Sequence, residues 1–149
     1  MSNRLEGKDI YCRIPHAGAM SLLAAVQSWD AKGILCTAHS HAEPDHPLRE
    51  EGRLRSVHAI EYAAQAAALH ASLTGASGEA GAPRRAYIAA LHAIDLCPRL
   101  LDDDEMIRSP LYIRAQLAAA SAMAARYTFS VACGPVCVAQ GTMTVAMPE

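Results

Sequence analysis

The stretch Ser56-Val-His-Ala-Ile-Glu-Tyr-Ala-Ala-Gln-Ala-Ala-Ala-Leu-His-Ala-Ser-Leu73 decides the fold. It contains no Gly or Pro and carries Ala, the residue that costs least to place in a helix, at 59, 63, 64, 66, 67, 68 and 71. Ser56 is available as an N-cap, and Gly75 follows the end as a helix stop. These signals predict one helix from about Val57 to Leu73, which at that length spans about 25 Å. Beyond it, Thr74-Gly-Ala-Ser-Gly-Glu-Ala-Gly-Ala-Pro83 is mostly Gly, Ala and Ser and reads as a flexible loop.

Working outward, the rest reads mostly as strand. Leu111, Ile113, Ala115 and Leu117 alternate with Tyr112, Arg114 and Gln116, and Tyr127, Phe129 and Val131 alternate with Arg126, Thr128 and Ser130. A period of two is the pattern of half-buried strands. Gly134-Pro135 marks a turn and Val136 to Met147 is rich in Val and Thr, so the three segments read as an antiparallel meander. Tyr87 to Leu96 and Ile34 to Ser40 are further strands, preceded by a short N-terminal element. Ala118 to Ala125 is helix-prone by propensity but falls where a hairpin must turn, and the topology takes precedence. One Ala-rich helix followed by a meander suits an α+β arrangement, an antiparallel sheet curled around that helix, in one domain spanning 1–149.

With 149 residues, 52% hydrophobic and 19% charged, the chain is long enough for a core and too apolar to be disordered. Its 13 Lys+Arg against 15 Asp+Glu give no electrostatic footprint for nucleic acid. No apolar run approaches the roughly 20 residues that span a bilayer, and the polar start Met1-Ser-Asn-Arg-Leu-Glu-Gly-Lys-Asp9 is no signal peptide, so a cytoplasmic protein is expected. Ala fills 31 positions, whereas Phe and Trp occur once each. Small side chains bury little area, at roughly 25 cal/mol per Å², and an open sheet has edges to cover, so a dimer interface is expected to add the missing stability. Cys12, Cys36, Cys97, Cys133 and Cys137 are scattered and read as reduced thiols; the spacing in Cys133-Gly-Pro-Val-Cys137 does not suit a metal knuckle.

Seven histidines are candidates for chemistry. His39, His41 and His46 lie with acids in Ala38-His-Ser-His-Ala-Glu-Pro-Asp-His-Pro47, a set that a metal accepts, but the plainer reading puts His39 and His41 on one face of a strand end with no metal. His58 and His70 on the helix, and His92 on a strand, read as solvent-facing or hydrogen-bonded. Glu61 is different, lying one turn into an otherwise apolar helix with Gln65 four residues on, on the same face. A carboxylate buried there costs several kcal/mol unless paired or neutralised, and chains keep such groups mainly where a raised pKa has a use. The alternative places Glu61 and Gln65 on a solvent stripe, or Glu61 beside Arg53 or Arg55 as a structural partner.

Two of these segments match a known pattern. Ile14-Pro-His-Ala-Gly-Ala-Met-Ser-Leu-Leu23 resembles the N-terminal Pro-His-x-x-Pro-Met/Phe-x-Leu-Leu signature of hot-dog-fold 3-hydroxyacyl-acyl carrier protein dehydratases, and Ala59-Ile-Glu-Tyr-Ala-Ala-Gln65 resembles their Glu-x-x-Ala-Gln helix motif. Gly52-Arg-Leu54, Ala86-Tyr-Ile88 and Gly141-Thr-Met-Thr-Val145 are similar, in order, to the FabZ-like branch associated with aryl polyene clusters. The likeness runs from Ile14 to Val145. It departs at Ala19, where the second proline is lost, and at Pro47, which fills the slot of the usual catalytic histidine with His46 beside it and without the Gly-His-Phe-Pro run.

The resemblance implies a hot-dog fold that dimerises into one continuous sheet, with itself or with another hot-dog subunit. It implies elimination of water from a 3-hydroxyacyl thioester held on acyl carrier protein. Glu61 is then the acid on the departing hydroxyl, His46 or His16 the base, and Gln65 the residue that holds Glu61; whether either histidine serves stays open. Backbone N–H groups near Val57 and His58, at the helix start, are implied as donors to the thioester carbonyl, with Tyr62 beside the substrate. No metal or organic cofactor is implied, because a pantetheine thioester arrives with the substrate. Carrier proteins are acidic, so Arg84 and Arg85, with Arg49, Arg53 and Arg55, are candidates for a basic mouth. Leu22, Leu23, Tyr62 and Tyr87 line an acyl tunnel or simply belong to the core. Two alternatives remain: a thioesterase of the same fold, in which the carboxylate activates water, and a non-catalytic hot-dog partner subunit.

Overall fold

The computed structural model describes residues 4–6, 10, 21–74 and 87–146. Among the described residues one long helix, α1 (Ala59–Leu73), is entered through a 3₁₀ turn at Ser56–His58. Around it run β1 (Leu5–Glu6), β2 (Ala25–Trp29), β3 (Gly33–Ala38), β4 (Tyr87–Leu96), β5 (Leu111–Ala120), β6 (Ala124–Cys133) and β7 (Val136–Ala146). They form one antiparallel sheet in the order β1-β2-β3-β5-β6-β7-β4. The helix lies against β3, β5, β6 and β7, so the sheet wraps it in the hot-dog manner.

The alanines make that wrapping possible. Ala59, Ala63, Ala66, Ala67 and Ala71 are at most 1% exposed, and from Ala59 to Ser72 only Glu61 and Ala64 escape full burial. With side chains this short the sheet closes onto the helix from several sides, and the larger residues of β5, β6 and β7 (Ile113, Tyr127, Phe129, Val131, Met143 and Val145) fill the space between. No helix among the described residues is long and apolar enough to cross a membrane. Cys36, Cys97, Cys133 and Cys137 are free thiols; Cys12 lies outside the described residues.

β4 follows the helix in sequence yet ends at the far edge of the sheet, paired through β7. Tyr87, Ile88, Leu91 and Leu96 are exposed on it. The meander β5-β6-β7 is as its alternation predicts, with residues 121–123 turning β5 into β6 and Gly134, at φ +58, opening the two-residue turn into β7.

Two expectations are corrected. β3 stops at Ala38 and Ser40–Ala42 is a 3₁₀ turn, so His39 and His41 do not share a strand face: His41 is buried while His39 is exposed. Ser56 does not cap the helix, because its hydroxyl donates to the Cys97 carbonyl at 2.7 Å. The turn closes instead through the His58 ring, whose Nδ1 accepts the Arg55 N–H at 2.9 Å while Nε2 donates to Glu50 at 2.9 Å. Of the loop read over 74–83 only Thr74, at the end of α1, lies within the described residues.

Candidate active site

Glu61 sits in the first turn of α1, half-buried between the buried side chains of Ile60 and Tyr62. The start of the helix is anchored on two sides. On one, Ser56 ties it to Cys97 at the end of β4. On the other, residues 50–53 form a hairpin with reciprocal Glu50–Arg53 backbone bonds of 2.9 Å and positive φ at Glu51 (52°) and Gly52 (78°), the type I′ geometry. The Asp102 carboxylate fastens this hairpin, accepting from Arg49 at 2.6 Å, Arg53 at 3.1 Å and the Leu54 N–H at 3.3 Å. Burial disfavours charge on Asp102, but the hydrogen bonds from Arg53, Arg49 and Leu54 outweigh it and hold the carboxyl below its usual range.

Arg49 and Arg53 therefore hold the hairpin together through Asp102, with the Arg49 side chain largely buried and the Arg53 side chain half exposed. Arg55 is exposed, and Arg84 and Arg85 lie outside the described residues. Val57, first of the helix-start residues implied in substrate binding, is exposed, whereas the His58 N–H is taken by the Arg55 carbonyl at 3.0 Å.

On the inward side of α1, Tyr62 and Gln65 meet the segment that leads into β2. Both are fully buried. The Gln65 side-chain oxygen accepts the Leu22 N–H at 3.0 Å. The Tyr62 hydroxyl lies 2.6 Å from Ser40 Oγ and 3.0 Å from His46 Nε2. Leu22, Leu23, Ser40 and His46 line a cavity of about 400 Å³ together with His39, Glu43 and Asp45. Leu22, Leu23 and Tyr62 are thus core residues, the first two also bordering this cavity, while Tyr87 is half exposed on β4.

His46 is 5% exposed. Its pKa is lowered to about 4, by burial first and then by the proximity of Arg49, His58 and His41, with Asp45 opposing. Nδ1 accepts the Leu48 N–H at 3.1 Å, so the ring is the neutral Nε2–H tautomer. Burial also pushes the Tyr62 hydroxyl up to about 12. The His46 and Tyr62 side chains are thus hydrogen-bonded to each other and neutral at pH 7. His16, the other candidate base, lies outside the described residues.

Two further histidines are buried. His70 Nε2 donates to the Asp30 carbonyl at 2.8 Å and Nδ1 accepts from Tyr127 at 2.8 Å, joining the end of α1 to the β2–β3 turn and to β6. His41 Nε2 donates to the Met106 carbonyl at 2.8 Å, which Cys133 shares at 3.2 Å. Burial lowers the pKa of both rings. Nothing in the sequence distinguished them from surface histidines except, for His70, its place in a helix too apolar to have a wet face. Among the described residues no group of three His, Cys, Asp or Glu is placed to hold a metal ion.

No curated protein matches the sequence. The dehydratase heterocomplex ApeI:P from Xenorhabdus doucetiae superposes with a TM-score of 0.77 at 19% identity, over 94% of this chain and 91% of that one. The E. coli PaaI protein from the phenylacetic acid degradation operon gives 0.57 at 16% identity, over 83% of this chain and 78% of that one. A hypothetical thioesterase from Streptococcus pneumoniae, solved with coenzyme A, gives 0.56 at 10% identity, over 83% and 87%. These likenesses establish the shared hot-dog fold. The ApeP dehydratase family model matches residues 9–149, and the chain belongs to the ApeP-like dehydratase family.

Proposed function

We propose that the protein eliminates water from a 3-hydroxyacyl thioester carried on acyl carrier protein, in fatty acid or polyene/polyketide-type synthesis. One observation carries the reading: Glu61 is the sole acidic side chain of α1, and it stays partly open where nearly every other residue of the helix is buried. In this reading Glu61 protonates the departing hydroxyl. The Val57 N–H, at the positive end of the helix, donates to the thioester carbonyl as enolate charge develops. Gln65, anchored through its oxygen to Leu22, offers its amide nitrogen to the Glu61 carboxylate. Both nitrogens of His46 are engaged within the protein, so the base that takes the α-proton is assigned to His16. The thioester arm comes with the substrate, and the reaction calls on no metal or organic cofactor.

The partner in this reading is a second hot-dog subunit, of the same or a different sequence, added along β4. The exposed Tyr87, Ile88, Leu91 and Leu96 on that edge strand support it, as does the Ser56–Cys97 bond that sets the end of β4 against the helix start. So does the likeness to a dehydratase heterocomplex. Arg84 and Arg85, with exposed Arg55, receive the acidic carrier protein.

The test is a product assay on the purified protein, alone and with a hot-dog partner, offered a 3-hydroxyacyl and a saturated acyl thioester. Enoyl thioester from the first supports dehydration. Free carboxylate from the second means a thioesterase. Carrier-protein binding with no product from either means a non-catalytic subunit.

A further inference from the structure

Leu22 is gripped at both of its backbone groups by side chains that lead back to one face of α1. Its N–H donates to Gln65 at 3.0 Å, and its carbonyl accepts from Ser40 Oγ at 2.9 Å. Ser40 in turn meets Tyr62 at 2.6 Å, and Tyr62 meets His46 at 3.0 Å. Tyr62 and Gln65 stand three apart on the helix, hence one above the other.

The direction of every bond in this chain is forced from its two ends. A carbonyl only accepts, so the Ser40 proton goes to Leu22 and the Tyr62 proton to Ser40. At the other end the Leu48 N–H occupies His46 Nδ1, so the proton on His46 Nε2 points to Tyr62. All three side-chain protons are spent inside the protein, and so is the lone pair that His46 needs in order to act as a base.

We infer that Tyr62 and His46 are positioning residues, which together with Gln65 clamp Leu22 and so seat the wall of the adjoining cavity against the helix that carries Glu61. His46 orients Tyr62, and Tyr62 with Ser40 holds the Leu22 carbonyl; neither donates to substrate. For its kinetic consequence the inference rests on the dehydratase reading, but the clamp itself does not.

The test uses Tyr62→Phe, which removes one oxygen, and the pair His46→Gln and His46→Asn. The Gln amide nitrogen reaches roughly where His46 Nε2 lies, whereas the Asn side chain is long enough only for the Nδ1 position. Amide hydrogen exchange at Leu22, followed by NMR in the full chain, is the first readout. Tyr62→Phe and His46→Asn are expected to speed exchange tenfold or more, and His46→Gln to restore most of the protection. Turnover of a 3-hydroxyacyl thioester is the second readout, with His46→Gln at least tenfold faster than His46→Asn.

Unchanged Leu22 exchange in Tyr62→Phe overturns the clamp. Equal loss of turnover in Gln and Asn variants, with Leu22 protection intact in His46→Gln, overturns the positioning role and makes His46 a base. If the wild-type chain gives no enoyl product, the dehydratase reading fails, and Leu22 exchange alone then decides the clamp.

Discussion

At the scale of the residue, His41, His46 and His70 are buried rings whose pKa burial lowers, and Glu61 is the half-open carboxylate of α1. His70 shows how such a ring works in the core. Both nitrogens bridge elements: the Tyr127 hydroxyl that donates to the ring is buried, and the carbonyl that accepts from it belongs to Asp30, an exposed residue of the β2–β3 turn. Replacing it by Leu leaves the buried Tyr127 hydroxyl without its partner, and an unmet buried polar group costs about 1–3 kcal/mol. His70→Leu is expected to lower unfolding free energy by about 1–3 kcal/mol in urea denaturation. His70 lies nine residues beyond Glu61, about 13 Å along the helix, so turnover at permissive temperature should be unaffected. A loss under 1 kcal/mol contradicts the bridging role.

At the scale of the element, the helix start depends on Asp102. Its side chain is 8% exposed, and it neutralises Arg49 and Arg53 while holding the Leu54 N–H. Asp102→Asn keeps the shape but strands the largely buried Arg49 guanidinium, and should cost about 2–4 kcal/mol, read by thermal or urea unfolding. Because the folded-state pKa of Asp102 is depressed, its stabilisation is complete above the ordinary carboxyl pKa of 3.8 and is lost as pH falls through the folded value. The sequence made α1 and the meander legible because each is written in a local period, of alanine-rich helix or of strand alternation. It did not show the start of α1. There Ser56 has the right chemistry for a cap, but Cys97, brought in from 41 positions away, takes its hydroxyl. β2, five residues long, carries too few positions for its period to register. Glu61 was legible as a charge inside an alanine helix. The Tyr62–Gln65 spacing was visible too, but its target, Leu22, lies 43 residues from Gln65 and leaves no trace in the helix itself.

At the scale of the whole molecule, the buried histidines bear on pH-dependent stability and the apolar edge of β4 on assembly. His46 ionises near 6.5 when unfolded and near 4 when folded, so between these values the unfolded chain takes up a proton that the folded one refuses. Its contribution is intact above pH 6.5 and falls as pH drops toward 4, by about 3 kcal/mol in all, with His41 and His70 acting in the same direction. Urea unfolding measured from pH 7.5 to 4 is expected to show this loss, and a flat profile contradicts the buried neutral rings. In assembly, Leu91→Glu puts a charge on the apolar edge of β4 and is expected to shift the protein to monomer in sedimentation velocity without unfolding it; an unchanged assembly places the partner elsewhere. The account turns on Glu61, and the most direct measurement is the rate of enoyl thioester formation by the assembled protein with Glu61 and with Glu61→Gln. The expected result is a fall of about 10²–10⁴-fold with an unchanged melting temperature. Turnover within a few-fold of the wild type contradicts the assignment.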